Sequence, residues 1–361
     1  MVLLHIASIK NNPFDGVCVV VPKHVVSQSH FAEVGFINVN NVKIDGISNQ
    51  LPYDLERFDI NNLAFPFNKP DLVVFHEVYV KEFIGIYKNL IANGIKYVIL
   101  PHAELTAGAL KKKRLKKLAA NILFFNRFIN SASGIQCLAQ NELDTTRCST
   151  YKFIGTNGID VAPMVKNHFN TNRLIITYIG RLDAYHKGLD LLIEAARFVK
   201  DDLKKANCVI NIYGPDVKGR FKNVQNLIRQ NNVEDLINLY HEVTGVEKAK
   251  ILLNSDIFIQ TSRFEGMPLG ILEACSFGLP CLVTEGTMIG SFVNSFHCGW
   301  VVNTDSKDIG LGLLKVINER NLFVEKSKKA VEMINHCFKW QVISEKTVEH
   351  YWKIVNNAVH N

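Results

Sequence analysis

The chain has 361 residues, 47% hydrophobic and 21% charged, a balance that excludes disordered, collagen-like and low-complexity classes and suggests two domains. Its 41 lysines and arginines exceed its 34 aspartates and glutamates, for a net charge of +7. The whole surplus lies between Leu105 and Gln140, where Lys111, Lys112, Lys113, Arg114, Lys116, Lys117 and Arg127 meet no acidic residue. A local basic patch on a balanced chain points to one anionic surface and away from a nucleic-acid coat. The eight cysteines form no C-x-x-C pair, so they read as reduced, mostly buried thiols of a cytosolic protein, not as a disulfide framework or a zinc site. No run of 18 apolar residues predicts a membrane span, and the short apolar start reads as a strand, not a leader.

In chain order, Val- and Ile-rich runs predict strands at Val2–Ala7, Val17–Val21, Asp71–Phe75, Tyr97–Leu100, Gly134–Leu138 and Lys152–Ile154. Further runs follow at Leu174–Ile179, Cys208–Tyr213, Ile257–Gln260 and Pro280–Thr284. Helical apolar spacing occupies Tyr79–Asn93, Leu189–Val199, Val246–Asn254, Leu269–Phe277 and Gln341–Val359. Lys111–Asn130 adds a helix with Leu115, Leu118, Ile122, Phe125 and Ile129 on one stripe and its cations on another side. Strand–helix alternation repeated twice predicts two doubly wound, Rossmann-like parallel-sheet domains facing a central cleft. The polar stretch Ala162–Asn172 sets the expected division: 1–163, 164–340, and a terminal helix, 341–361, packing back on the first domain.

Two segments carry chemistry. Ser262 to Glu273 follows an apolar strand, with Pro268 where a first helical position falls. A helix start offers unpaired backbone N–H groups to a phosphate, and Gly266 and Gly270 let a ligand approach the backbone. Glu265 stands before that helix and Glu273 inside it, placed to grip hydroxyls on either side of a bound diphosphate. Alone, the pair fits better a capped amphipathic helix with two solvated glutamates. Gly180 to Asp190 follows the strand Leu174–Ile179 and carries Arg181 and Lys187, a planar fork and a compact point charge suited to polyphosphate. Alone, these two fit solvated loop cations.

Together the segments resemble the retaining nucleotide-sugar enzymes of glycosyltransferase family 4, which have the two-domain GT-B fold. The resemblance rests on G-R-L-x4-K-G-x-D-x-L-I-x-A from Gly180 to Ala195 and S-R-F-E-G-M-P-L-x3-E-A-x3-G-x-P from Ser262 to Pro280. Tyr213-Gly214-Pro215 and Gly245-x-x-Lys248 match further landmarks, so the likeness covers about residues 150–285. It implies a donor diphosphate on Arg181 and Lys187, sugar hydroxyls on Glu265, and ribose on Glu273. Gly180, Gly214, Gly245, Gly266 and the amides of Met267, Pro268 and Leu269 would complete the donor site, with His241–Gly245 near the base. In the amino half, Pro101-His102-Ala103 resembles the family's P-H-G and implies that His102 approaches the donor sugar. His76, ending Asp71–His76, fits either a structural histidine or a site residue. Asn157-Gly158-Ile159-Asp160 resembles a structural turn.

The family's Gly-Gly loop after the first strand touches the acceptor; here Asn11–Gly16 offers only Gly16. The chain has no D-x-D, so the resemblance implies a metal-independent enzyme without a cofactor, its UDP- or GDP-linked sugar being the substrate. The expected acceptor is a saccharide, lipid-linked as in bacterial surface polysaccharide assembly. Lys112, Lys113, Lys116 and Lys117 then suit an anionic membrane or acceptor face, against the alternative of an ordinary solvated helix. Two rival readings stand beside this one: a sugar-nucleotide epimerase of the same fold, and a non-catalytic polyanion-binding protein.

Overall fold

A computed structural model describes residues 1–12, 15–54, 56–102, 104–105, 124–146, 148, 150–166, 168–170, 172–265 and 267–357. The chain divides into two compact units: Met1–Gly158 with Trp340–Asn361, and Ile159–Lys339.

The amino-terminal unit holds a parallel sheet of seven strands, β1 (Val2–Ala7), β2 (Glu33–Asn38), β3 (Gln50–Leu51), β4 (Leu72–His76), β5 (Tyr97–Leu100), β6 (Gly134–Cys137) and β7 (Lys152–Ile154). Their order is β3-β2-β1-β4-β5-β6-β7. The carboxy-terminal unit holds β8 (Leu174–Ile179), β9 (Cys208–Tyr213), β10 (Ile237–Tyr240), β11 (Ile257–Gln260), β12 (Cys281–Thr284) and β13 (Gly299–Val302), in the order β10-β9-β8-β11-β12-β13. Both orders reverse once, between β1 and β4 and between β8 and β11. At such a switch the connections leave to opposite sides and open a crevice at the strands' carboxyl ends.

The strands form where the chain is apolar on both faces. β4, β5, β6, β11 and β12 are buried at every residue, as sheets covered by helices on both sides require. Leu192, Ile193 and Ala196 of the helix α3 (Leu189–Phe198) pack into the carboxy-terminal core beside Ile176 and Ile210. In the other unit Phe83, Ile86 and Leu90 of α2 (Phe83–Ala92) meet Phe75 and Tyr97. On the opposite side of the same sheet, Tyr351 and Ile354 of α6 (Trp340–Val355) pack with Leu3, Val98 and Phe153.

One expectation fails here. Val17–Val21 is not a strand but part of the helix α1 (Gly16–Gln28). Its β-branched run favours a strand locally, yet Asp15 caps the first turn, accepting a hydrogen bond from the Val17 amide at 3.0 Å. Parallel pairing of β1 with β2 also demands a crossover between them, and α1 supplies it with Val21 and Val25 in the core. Strands β2, β3, β10 and β13 carry no expectation from the sequence. The eight cysteines are all free thiols, five of them buried. The proposed basic helix lies outside the described residues from Lys111 to 123, including Lys112, Lys113, Lys116 and Lys117; its described end, Asn126–Asn130, is helical. Among the described residues no helix is long and apolar enough to cross a membrane.

Candidate active site

At the β8/β11 switch, the turn after β8 brings Lys187 onto Glu265, which follows β11, and the two form an ion pair with both side chains about nine-tenths buried. Glu265 Oε1 also accepts hydrogen bonds from Ser262 Oγ at 2.7 Å and Gln260 Nε2 at 3.0 Å. Gln260 Nε2 lies 3.2 Å from Ser262 Oγ as well, so three polar groups converge at the end of an apolar strand. Burial works to raise the pKa of Glu265. The Lys187 charge and the Lys187 and Ser262 hydrogen bonds outweigh it and hold the carboxyl below its ordinary range. The result is a desolvated carboxylate that stays ionised.

The turn carrying Lys187 is itself clamped. Arg263 donates to both carboxylate oxygens of Asp190, at 2.7 and 2.8 Å, and to the Tyr185 carbonyl at 2.6 Å, with its guanidinium over the Tyr185 ring. His186 stacks on Phe264 with ring centres 4.3 Å apart and lies 2.8 Å from the Phe264 carbonyl through Nε2. Burial lowers its pKa, the Glu265 carboxylate opposing, so Nε2 is the donor of a neutral ring. Gly188 is required by geometry: φ is +63°, and a Cβ there would sit 1.9 Å from the Thr261 carbonyl oxygen. Gly214 is required in the same way, because its Cβ would meet the Gly180 carbonyl oxygen at 2.2 Å. These glycines bring the carboxyl ends of β8, β9 and β11 close together.

Helix α5 (Leu269–Ser276) starts beside this cluster. Pro268 is its N-cap in extended conformation, one position earlier than expected, and its carbonyl accepts from Ile271 and Leu272. Met267 and Pro268 are buried, Leu269 half-buried, and Gly266 lies outside the described residues. Glu273, one turn into α5, pairs with Lys248 of α4 (Gly245–Asn254). Gly245 opens α4 with φ +54° on the exposed side. Arg181 is exposed; its carbonyl takes a hydrogen bond from Tyr178 Oη at 2.9 Å. The Tyr213 and Tyr240 rings stack 4.7 Å apart at the ends of β9 and β10, and Phe221 stacks on His241.

In the amino-terminal unit His102 follows β5 with a left-handed backbone, φ +48°. Its Nε2 lies 3.2 Å from His76 Nδ1, and His76 Nε2 lies 2.9 Å from His5 Nδ1. His76, left between two readings by the sequence, is thus the middle of a buried histidine array. Gly16 is the first residue of α1. Ala103 lies outside the described residues. Sequence reasoning missed Gln260, Ser262, Arg263 and His5 as site-forming groups. For Gln260 and His5 the same signal existed, a polar residue in an otherwise apolar strand.

Two open parallel sheets with the reversed order, each with polar groups gathered at its switch, define the GT-B fold class. HepE of Anabaena, solved with UDP and glucose, has this fold: it aligns over 97% of this chain and 99% of its own at a TM-score of 0.71 and 14% identity. Residues 163–335 match the family described as "Glycosyl transferases group 1", and the carboxy-terminal unit belongs to that family. Mannosylfructose-phosphate synthase of Agrobacterium fabrum is 22% identical over 188 residues, 51% of this chain and 41% of its own. UDP-Gal:alpha-D-GlcNAc-diphosphoundecaprenol alpha-1,3-galactosyltransferase of Escherichia coli is 26% identical over 191 residues, 52% and 47% of the two chains. The chain thus spans less than half the length of either curated relative.

Proposed function

We propose that the protein is a retaining glycosyltransferase that moves a sugar from a UDP- or GDP-sugar to a hydroxyl of a lipid-linked saccharide. The observation that carries the reading is the desolvated Lys187–Glu265 pair at the carboxyl ends of β8 and β11, in a unit that belongs to the group 1 glycosyl transferases. The Escherichia coli relative, named for transfer of galactose to a diphosphoundecaprenol-linked sugar, supports the acceptor class.

In this reading Lys187 and Arg181 neutralise the donor diphosphate, with the start of α5 completing the anion site. The glycosyl–oxygen bond breaks and its electron pair leaves on the phosphate, where these fixed cations stabilise it most as charge develops. Glu265, kept ionised by its hydrogen bonds, lies against the sugar as it turns cation-like. The acceptor hydroxyl attacks the face the phosphate leaves, and its proton passes to the departing phosphate oxygen. Glu273 and Lys248 hold the ribose end, and His102 is read as a donor-sugar contact. The basic segment around Lys112–Lys117 docks on anionic lipid beside the acceptor.

The test is a panel of UDP- and GDP-sugars assayed for acceptor-dependent release of nucleoside diphosphate, with Glu265→Gln as control. Transfer should fall about 10²–10³-fold in the variant, the usual loss for one electrostatic contact to a transition state. Near wild-type transfer by Glu265→Gln overturns the assignment. Isomerisation of the donor without acceptor overturns it in favour of an epimerase.

A further inference from the structure

Lys187, Ser262 and Gln260 all reach Glu265 at the same atom, Oε1, and among the described residues none reaches Oε2. A carboxylate oxygen has about two lone-pair directions, so three donors leave Oε1 no room for a fourth. The two neutral donors come from positions that allow them little freedom. Gln260 ends the fully buried β11 with 3% of its surface exposed, and Ser262, just beyond it, is wholly buried. The Ser262 carbonyl accepts from Thr284 Oγ1, at the end of β12, at 2.8 Å. Gly286 packs against that carbonyl too, since a Cβ there would lie 2.3 Å from its oxygen. Next along the chain, the Arg263 amide donates to the His186 carbonyl at 3.0 Å.

The protons of this cluster have one arrangement. An ionised Glu265 only accepts, so Ser262 directs its single proton to Oε1 and is left an acceptor toward Gln260. Gln260 then faces two acceptors, Glu265 Oε1 at 3.0 Å and Ser262 Oγ at 3.2 Å, and only its NH₂ carries the two protons they need. Turning the Gln260 amide over would set its oxygen against both. The triangle closes with every proton used, and the carboxylate cannot turn part-way about its last bond without loosening three contacts at once.

We propose that Gln260 and Ser262 are positioning residues that make Glu265 one-sided, so that it meets substrate through Oε2 alone and grips a single donor hydroxyl, not a vicinal pair with both oxygens. The proposal rests on the reading of Glu265 as a donor-sugar contact. Three donors drawing on the carboxylate keep its basicity low, so a sugar hydroxyl hydrogen-bonds to Oε2 without giving up its proton. Lys187 supplies charge, but an ammonium is a point charge on a flexible stem and sets little direction. The direction comes from the Ser262 hydroxyl and the Gln260 amide, both fixed to the end of the strand.

The test uses the full chain labelled with ¹³C at the glutamate carboxyl, Glu265 being assigned by its loss in Glu265→Gln. Removing a donor to the ionised form raises a pKa. Gln260→Met, close in shape, and Ser262→Ala should each move the Glu265 titration up by about one pH unit, the scale of one hydrogen bond to a charged group. Ser262→Thr, which keeps the hydroxyl, should leave it in place. For the UDP- or GDP-sugar that the protein turns over, one monodeoxy form should lose about 10–100-fold in kcat/KM and the others little, and Gln260→Met should cut that factor about tenfold. A titration unmoved in whichever variants fold, a rise in Ser262→Thr equal to that in Ser262→Ala, or two neighbouring hydroxyls that count equally in the native protein overturns the one-sided carboxylate. A titration raised as expected, in a protein that turns over no nucleotide sugar, sustains the positioning and overturns instead the reading of the function.

Discussion

The two units share one strand order but fill their switch points with opposite chemistry. Across β8 and β11 the contact is ionic: Lys187 on Glu265, with Arg263 on Asp190 behind it. Across β1 and β4 it is neutral: His5 on His76, extended by His102 and Gln28. A desolvated ion pair is strong only while both partners remain, whereas a neutral line is strong only while every proton points the right way. The carboxy-terminal switch therefore holds fixed, paired charges, and the amino-terminal switch a line of neutral rings.

The sharpest way to break the ionic side is through its backbone. Gly188→Ala adds a left-handed Cβ 1.9 Å from the Thr261 carbonyl oxygen. We expect a loss of about 3–5 kcal/mol, seen calorimetrically as an early transition of the carboxy-terminal unit alone. Next, Lys187→Met removes the counter-charge. Burial then acts on Glu265 unopposed by its main partner, so its pKa rises and the acid limb of kcat/KM moves to higher pH, with transfer down about 10²–10³-fold at neutral pH. An acid limb that stays in place would show that Lys187 does not hold Glu265 ionised.

Acid should separate the units by their histidines. His5, His24 and His102 titrate at about 3, 4 and 3 when folded, against 6.5 in the open chain, and His76 is lowered in the same sense. Between those values the unfolded chain holds more protons, so stability rises with pH and is lost on acidification, each group contributing up to about 1.4 kcal/mol per pH unit. Glu77 acts oppositely: burial, with Glu104 and Asp15 nearby, pushes it up to about 8 from 4.5, so it favours the fold at lower pH and loses that contribution as pH rises through 8. The four histidines outnumber it between pH 6.5 and 4.5. The amino-terminal transition should therefore fall steeply in that window, while the carboxy-terminal unit, with His186 as its one lowered histidine, changes less. Equal losses in scanning calorimetry would refute the contrast. The smallest effect is expected at Gly16, which starts α1 with nothing within 4 Å of an added Cβ among the described residues; Gly16→Ala should stabilise by about 0.5 kcal/mol in the same scan.

The same contrast explains what could be read in advance. Lys187 and Glu265 each stand in a short contiguous segment whose glycines and prolines mark the turn, so the carboxy-terminal site was legible as a pattern, though not the ion pair itself. His5, His76 and His102 lie 71 and 26 residues apart, and only the strand order makes them neighbours. Most strands appeared as apolar runs because both faces are buried. β2 and β13 did not, since Gly35 interrupts one and the other is only half-buried. Val17–Val21 misled because its side chains favour extension while its neighbours in the chain require a crossover.

One consequence concerns the order of synthesis. Tyr351 and Ile354 complete the core of the amino-terminal unit, yet they are translated after the whole of Ile159–Lys339. On the ribosome the carboxy-terminal unit has all its residues before its neighbour does. The nascent amino-terminal sheet must wait, with one face covered only in part by α1, for a helix nearly two hundred codons downstream of its last strand.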